Sequence, residues 1–229
     1  MKKRVFYTEW AYALGMILLA AGTALMERAD FGMSMVVAPA YILHLKLGQI
    51  WPFFSFGMAE YTLQAMILVL MMLLLRRVRR KYFFSFMTAV LYGFLLDGVM
   101  ALMGLVPETG LAGRFAFYGA GTVVCSMGIA LLFRTYIPLE AYEMFVQEIS
   151  QKIGMDIHRF KTVYDCVSCG VSIVLSFVFF GWGVFEGVKA GTVFCALING
   201  FLIGRCAAWL GKRWEFADRF QMRRIFKIG

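Results

Sequence analysis

Six uninterrupted apolar runs dominate this 229-residue sequence, and each is long enough to cross a lipid bilayer. A helix rises about 1.5 Å per residue, so roughly 20 apolar residues cover about 30 Å of hydrocarbon. A soluble domain of this length could not bury a hydrophobic fraction of 61%. The runs are continuously apolar and do not alternate, which excludes a membrane β-barrel. We therefore expect an all-α polytopic membrane protein with spans at Trp10–Met26, Phe53–Leu75, Phe83–Leu105, Phe115–Phe133, Phe160–Trp182 and Val188–Leu210.

The basic residues lie in three clusters that predict the topology. With six spans, all three clusters fall on one side of the membrane, which the positive-inside rule identifies as the cytoplasm. Both termini are therefore expected to be cytoplasmic, with anionic lipid as a partner. The net charge of +9 would also fit nucleic acid, but this distribution argues against a nucleic-acid partner. The clusters are Lys2–Arg4, Arg76–Lys81 and, after span six, Lys212, Arg213, Arg219, Arg223, Arg224 and Lys227.

The chain repeats itself at an offset of 106 residues. Residues 14–48 match residues 120–154 at seven of 35 positions, and the order of elements is the same in both halves. The match resumes after a one-residue slip, where Gly93-Phe94-Leu95 aligns with Gly200-Phe201-Leu202. We divide the single membrane domain into repeat one, 8–106, repeat two, 114–211, and a basic tail, 212–229. The identical positions are 15/121, 22/128, 24/130, 25/131, 28/134, 46/152 and 48/154.

Each repeat holds three spans, an odd number, so the two repeats are expected to be inverted in the membrane. A short helix is predicted after the first span of each repeat. The first covers Met33–Leu47 and contains Pro39, and the second begins at Pro138 and ends before Gly154. Neither is long enough to span, so each is either interfacial or re-entrant, and the sequence leaves both alternatives open.

Polar side chains within the spans form the candidate pathway for a substrate or ion. Ionisable groups in a span cost roughly 2.5–3.5 kcal/mol on insertion scales, so function or pairing must offset that cost. In one interpretation Glu60 and Asp165 carry a proton or bind a cationic group; in the other the acids are neutral hydrogen-bonding links between helices. The pathway set is Glu60, Tyr61, Gln64, Asp97, Tyr164, Asp165 and Asn199.

Three arginines near the ends of spans are candidate gates or counter-charges. Arg28 and Arg134 follow the first span of each repeat, and Arg205 lies in span six. The alternative for Arg28 and Arg134 is that they only extend to lipid headgroups.

No catalytic constellation is evident, so we expect no enzyme and no cofactor. The predicted fold has no strands and no glycine-rich phosphate loop. The five cysteines all lie in spans, and the Cys166-x-x-Cys169 pair lacks further ligands because His44 and His158 lie in different loops. We therefore predict no metal site.

Several short segments resemble the YitT/YczE type of bacterial membrane protein. They are "AGTVFCALINGFLIG" at 190–204, "GTALMERADFGMS" at 22–34 and the Tyr164-Asp165 pair. The resemblance implies a multi-pass protein of the bacterial cytoplasmic (inner) membrane. The YitT branch carries a soluble C-terminal domain, and this chain is similar to the shorter YczE branch.

The sequence favours a small-solute transporter of unknown substrate, proton- or cation-coupled through Glu60 and Asp165. Its site is expected where spans two, three, five and six meet. A non-transporting membrane factor that supports or scaffolds a partner protein is the alternative, with Trp214–Lys227 as a docking segment. The solute, the coupling ion and any homo-oligomer stay open at this stage.

Overall fold

Eight helices and two short strands make up the described parts of the computed structural model, residues 4–107 and 110–220. The side chains of residues 157 and 158, including His158, are outside the described set, as are Lys2, Lys3, Arg223, Arg224 and Lys227. The elements are β1 Arg4–Tyr7, α1 Thr8–Ala29, α2 Ala38–Ile50, α3 Phe56–Leu75, α4 Arg80–Gly104, α5 Leu111–Leu132, α6 Ala141–Ile153, α7 Ile157–Phe180, α8 Ala190–Arg213 and β2 Trp214–Ala217.

Six of these helices, α1, α3, α4, α5, α7 and α8, are long and apolar enough to cross a membrane. The prediction of six spans is therefore confirmed, although their ends differ by a few residues. Span two was expected to begin at Phe53, but α3 begins at Phe56 because the Ser55 side chain accepts a hydrogen bond from the Met58 amide at 3.1 Å. This interaction is a serine N-cap, which fixes the first turn of a helix.

The crossing of α1 and α5 shows how the two repeats are related. A Cβ added at Gly22 would lie 2.8 Å from the Gly121 carbonyl oxygen, and one at Gly121 would lie 2.8 Å from that of Gly22. Gly15 and Gly128 approach in the same way, at 3.0 and 2.8 Å. Because residue numbers rise along α1 while they fall along α5, the helices are antiparallel. In the repeat, position 15 aligns with 121 and position 22 aligns with 128, so each glycine contact maps onto the other. The two contacts are therefore related by a pseudo-twofold axis. The prediction of inverted repeats is confirmed.

The remaining packing follows the same axis. Helix α2 packs against α7 of the other repeat, as α6 packs against α3, and α1 packs against α4 as α5 packs against α8. The aligned lysines make equivalent contacts in the two repeats. Lys46 donates to the Phe179 carbonyl near the end of α7 at 3.1 Å, and Lys152 donates to the Leu74 carbonyl near the end of α3 at 2.5 Å. A cation near a helix C-terminus is favourable in both places.

The outer helix pairs break the symmetry. Helices α3 and α4 pack tightly, and a Cβ at Gly57 would come within 2.1 Å of the Gly93 carbonyl oxygen. Over their described residues, the equivalent helices α7 and α8 do not pack as closely as α3 and α4 do. At Gly200, which aligns with Gly93, an added Cβ would have no described heavy atom within 4 Å apart from those of its own stretch of helix backbone. The two repeats therefore share a fold but differ in how far their outer helices have separated.

The two strands were not predicted. β1 and β2 pair in parallel, with Arg4 opposite Trp214 and Tyr7 opposite Ala217. The pair is stabilised by the Phe6 and Trp214 rings, whose centroids lie 5.4 Å apart, and by a 3.0 Å hydrogen bond from the Thr8 hydroxyl to Asp218. Both described ends of the chain thus lie on one side of the bundle, which an even number of spans requires. We call this side the terminal face and the other the distal face.

Candidate functional site

Both short helices begin midway along a spanning helix of the other repeat. The Ala141 amide at the start of α6 donates to Gln64 Oε1 at 2.9 Å, and Gln64 is the ninth of the 20 residues of α3. The Ser168 hydroxyl, twelfth of 24 residues in α7, donates to the Met35 carbonyl just before α2 at 2.8 Å. Each short helix then runs outward to the end of that spanning helix. Both are re-entrant, and this resolves the alternative that the sequence left open.

A central chamber lies where the N-terminal ends of the two re-entrant helices approach the α1–α5 crossing. Its cavity volume is about 60 Å³. Most of its wall is apolar, and its polar groups come from both repeats. Its lining includes Leu19, Thr23, Ser34, Val37, Ile129, Glu140, Glu143, Lys161 and Asn199.

A larger cavity of about 580 Å³, the terminal vestibule, lies beside this chamber. Both cavities are lined by Leu132, Leu139, Glu143 and Lys161, so they share a wall. The vestibule is bounded by residues 135–138, by α6 and by the last half of α8, from Gly200 to Ala207. These segments lie toward the terminal face. The vestibule therefore lies between α6 and α8, on the side of the chamber that is nearer the terminal face.

Two buried carboxyl groups meet at the start of α6, joined by one amide. Gln64 Nε2 donates to Glu140 Oε2 at 3.3 Å and lies 3.5 Å from Glu60 Oε1. Glu60 and Gln64 have no exposed surface, and Glu140 is 7% exposed. Burial, with repulsion from Glu143, raises the pKa of Glu140 to about 8, against the opposing effects of the Gln64 hydrogen bond and of Lys161. Glu140 can therefore gain or lose a proton near neutral pH.

A second polar cluster lies beside the first. Lys161 Nζ is 2.9 Å from Glu143 Oε1 and 3.3 Å from Asp165 Oδ1, so one cation serves two carboxylates. The Tyr164 ring packs against Phe145 of α6, with centroids 5.6 Å apart. Asp165 is therefore part of an ion-paired group that ties α7 to α6.

Two sets of polar contacts join helices near the distal face, and we call them the clamp and the latch. In the clamp, the Asp97 carboxylate of α4 accepts from the Ser55 hydroxyl at 2.5 Å and from the Gly57 amide at 2.7 Å. In the latch, Asp30 forms ion pairs with Arg114, at 3.0 Å, and with Lys189. These contacts join α3 to α4, and the end of α1 to the starts of α5 and α8.

The other predicted residues fall into two groups. Asn199 lines the chamber and accepts a 3.1 Å hydrogen bond from Ser126, whereas Tyr61 packs beside Gly93 at the α3–α4 contact. The arginines form no part of the chamber wall. Arg28 donates to the Val106 carbonyl at 2.5 Å, Arg134 to the Ala207 carbonyl at 2.9 Å, and the exposed Arg205 lies over the Phe201 ring.

We expected the site where spans two, three, five and six meet. Helices α4, α7 and α8 line the chamber through Tyr92, Lys161 and Asn199, and α1 and α5 form much of the remaining wall. No described residue of α3 lines the chamber, and this helix is linked to it by the hydrogen bond from Gln64 to Glu140. Among the described residues, no group of three or more His, Cys, Asp or Glu side chains is placed to hold a metal ion.

Sequence reasoning did not name Glu140, Glu143 and Lys161 as site residues, because the first two lie in a short polar segment outside the six apolar runs. The repeat contained a usable signal for Glu140. At the offset of 106, Glu140 aligns with Ser34. Both residues come just before a re-entrant helix and line the chamber.

Comparison with known families identifies a family for the chain but no function. A family of unknown function, DUF6198, matches residues 6–208. The chain belongs to this family. No curated protein and no solved structure matches the chain.

Proposed function

We propose that this DUF6198 protein transports a small solute through its central chamber. The observation that carries the proposal is the pair of re-entrant helices, whose N-termini approach one chamber from opposite repeats beside the buried Glu140. Broken or re-entrant helices that meet at the midplane between inverted repeats are typical of secondary transporters. Glu140, together with Glu60 behind Gln64, carries the coupling proton or cation in this proposal.

Several features extend the proposal. The positive-inside rule makes the terminal face cytoplasmic, so the vestibule opens inward. The membrane is the bacterial inner membrane, and the family is related to the YczE branch that the sequence resembles. The alternative, a scaffold that docks a partner through its tail, has less support because residues 214–217 pair with the chain's own β1.

Flux in proteoliposomes tests the transport proposal. Liposomes containing a trapped pH dye are exposed to separate panels of organic ammonium ions, carboxylates, neutral amino acids and sugars. We expect one panel to drive a proton or charge movement that Glu140→Gln reduces at least about tenfold, as expected for loss of a coupling carboxyl group. Glu215→Gln, a neutralisation on the exposed β2 strand, is the matched control and should retain the flux.

A flux that is equal in protein-containing and empty liposomes for every panel would contradict transport and favour the scaffold alternative. A flux that Glu140→Gln leaves unchanged would keep transport but remove Glu140 from its mechanism.

A further inference from the structure

The charges around the chamber do not balance. Glu140, Glu143 and Lys161 line it, and Asp165 lies behind Lys161. Lys161 is already shared between Glu143 and Asp165, so it supplies no dedicated counter-ion for Glu140. The described wall therefore has more carboxylates than cations.

One oxygen of Glu140 is also without a partner. Gln64 donates to Oε2, while Oε1 is buried and has no hydrogen-bond donor among the described residues. The side chain is more than nine-tenths buried and lines the chamber. A buried acceptor without a donor is costly, roughly 1–3 kcal/mol, so a donor from a ligand would be stabilising there.

We propose that the chamber binds a small organic ammonium ion, with its N–H groups donating to Glu140 and its carbon atoms against Leu19, Val37 and Ile129. This assignment names the solute class of the proposed transporter and rests on that function for its role as cargo. An anion fits poorly because carboxylates outnumber cations on the wall. A bare metal ion fits poorly because it needs about six oxygen ligands, and most of this wall is carbon.

A proton and an ammonium ion compete for the same oxygen of Glu140, so binding one displaces the other. The titratable and charged groups that interact with Glu140 come from several helices: Tyr12 on α1, Glu60 on α3, Tyr92 on α4, Cys125 on α5, Tyr142 and Glu143 on α6, and Lys161 on α7. Of these, Glu143 raises the pKa of the Glu140 carboxyl group and Lys161 lowers it. Glu143 and Lys161 oppose each other in charge, which leaves the Glu140 proton as the main competitor of the ligand.

Binding to the purified full chain in detergent tests this assignment without requiring transport. Ethylammonium is the probe, and sodium, acetate and tetramethylammonium are the comparisons, because the last is a cation with no N–H donor. We expect saturable stabilisation by ethylammonium alone, with affinity about thirtyfold weaker at pH 6.5 than at pH 9, as competition with a group of pKa about 8 requires.

Variants locate the binding. Glu140→Gln should abolish it, Glu140→Asp should weaken it while keeping the charge, and Glu215→Gln should leave it unchanged. If Glu140→Gln does not fold, the Glu140→Asp comparison and the wild-type pH series decide. The assignment is overturned if acetate or sodium binds as well as ethylammonium, if the affinity is independent of pH, or if Glu140→Gln binds normally.

The two proposals fail separately. Ethylammonium binding without flux in liposomes would refute transport and leave the site. Flux of an uncharged or anionic solute in place of ammonium ions would keep transport and refute the ammonium assignment.

Discussion

The α3–α4 pair and the α7–α8 pair occupy equivalent places in the two repeats but differ in packing. Between α3 and α4, Gly57 and Gly93 bring the backbones into contact, and Asp97 clamps the start of α3. The described residues of α7 and α8 show no such close approach, and the vestibule lies beside the last half of α8. Inverted repeats that adopt unequal conformations leave a central site open to one face and closed to the other. Exchange of the two conformations would reverse the open face.

The largest expected effect is a difference in accessibility between aligned positions. Ala29 is fully buried near the distal face, and Thr135, its equivalent at the offset of 106, lines the vestibule. In a variant whose five cysteines are replaced by alanine, Thr135→Cys should react with a polar maleimide at least about tenfold faster than Ala29→Cys. Mass spectrometry of timed samples measures both rates. Equal rates would contradict the difference between the two faces.

The aligned glycines of the outer pairs provide the next comparison. Gly93→Ala places a Cβ 2.8 Å from the Gly57 carbonyl oxygen, so we expect destabilisation of about 1–3 kcal/mol from overpacking. Gly200→Ala enters open space and should be neutral or stabilising by up to about 1 kcal/mol, because alanine is the better helix former. Thermal unfolding in detergent measures both changes.

The transport flux of the Gly200→Ala variant gives a second measurement. If α7 and α8 close during transport as α3 and α4 have closed here, the variant should slow flux despite its normal stability. Normal flux would show that α7 and α8 do not reach the α3–α4 arrangement.

Weakening the Asp97 clamp should reduce stability moderately and increase accessibility at the distal face only. Asp97→Asn weakens the acceptor of the Ser55 and Gly57 hydrogen bonds, and we expect a loss of about 1–2 kcal/mol. It should also increase the labelling of Ala29→Cys without changing that of Thr135→Cys. An increase at both positions would mean that the protein unfolds globally and that no distal gate has opened.

The smallest expected effect is a loss of stability that should be equal for two variants related by the pseudo-symmetry. Lys46→Met and Lys152→Met each remove a bond to the C-terminal end of a spanning helix, so each should cost about 0.5–1 kcal/mol. Chemical or thermal unfolding of the two variants side by side is the measurement. Costs that differ by more than about 1 kcal/mol would show that the two re-entrant helices are held in different ways.

The sequence by itself determined the number of spans, the repeat and its inversion. Hydrophobic length and an odd number of spans per repeat depend only on local composition and counting, and the glycines at 15, 22, 121 and 128 were already visible as repeated positions. Glu60 and Gln64 were identified for the same reason, since a polar group within an apolar run stands out along the chain.

Only the tertiary structure decided where the chamber and the vestibule lie. Glu140 is in a short polar helix, and its burial comes from insertion of that helix beside Gln64 of the other repeat, a contact across 76 residues. The β1–β2 pairing joins the two ends of the chain across 210 residues. Likewise, the α3–α4 and α7–α8 pairs have related sequences but pack in two different arrangements. Such long-range contacts depend on packing between segments, which local sequence pattern does not specify.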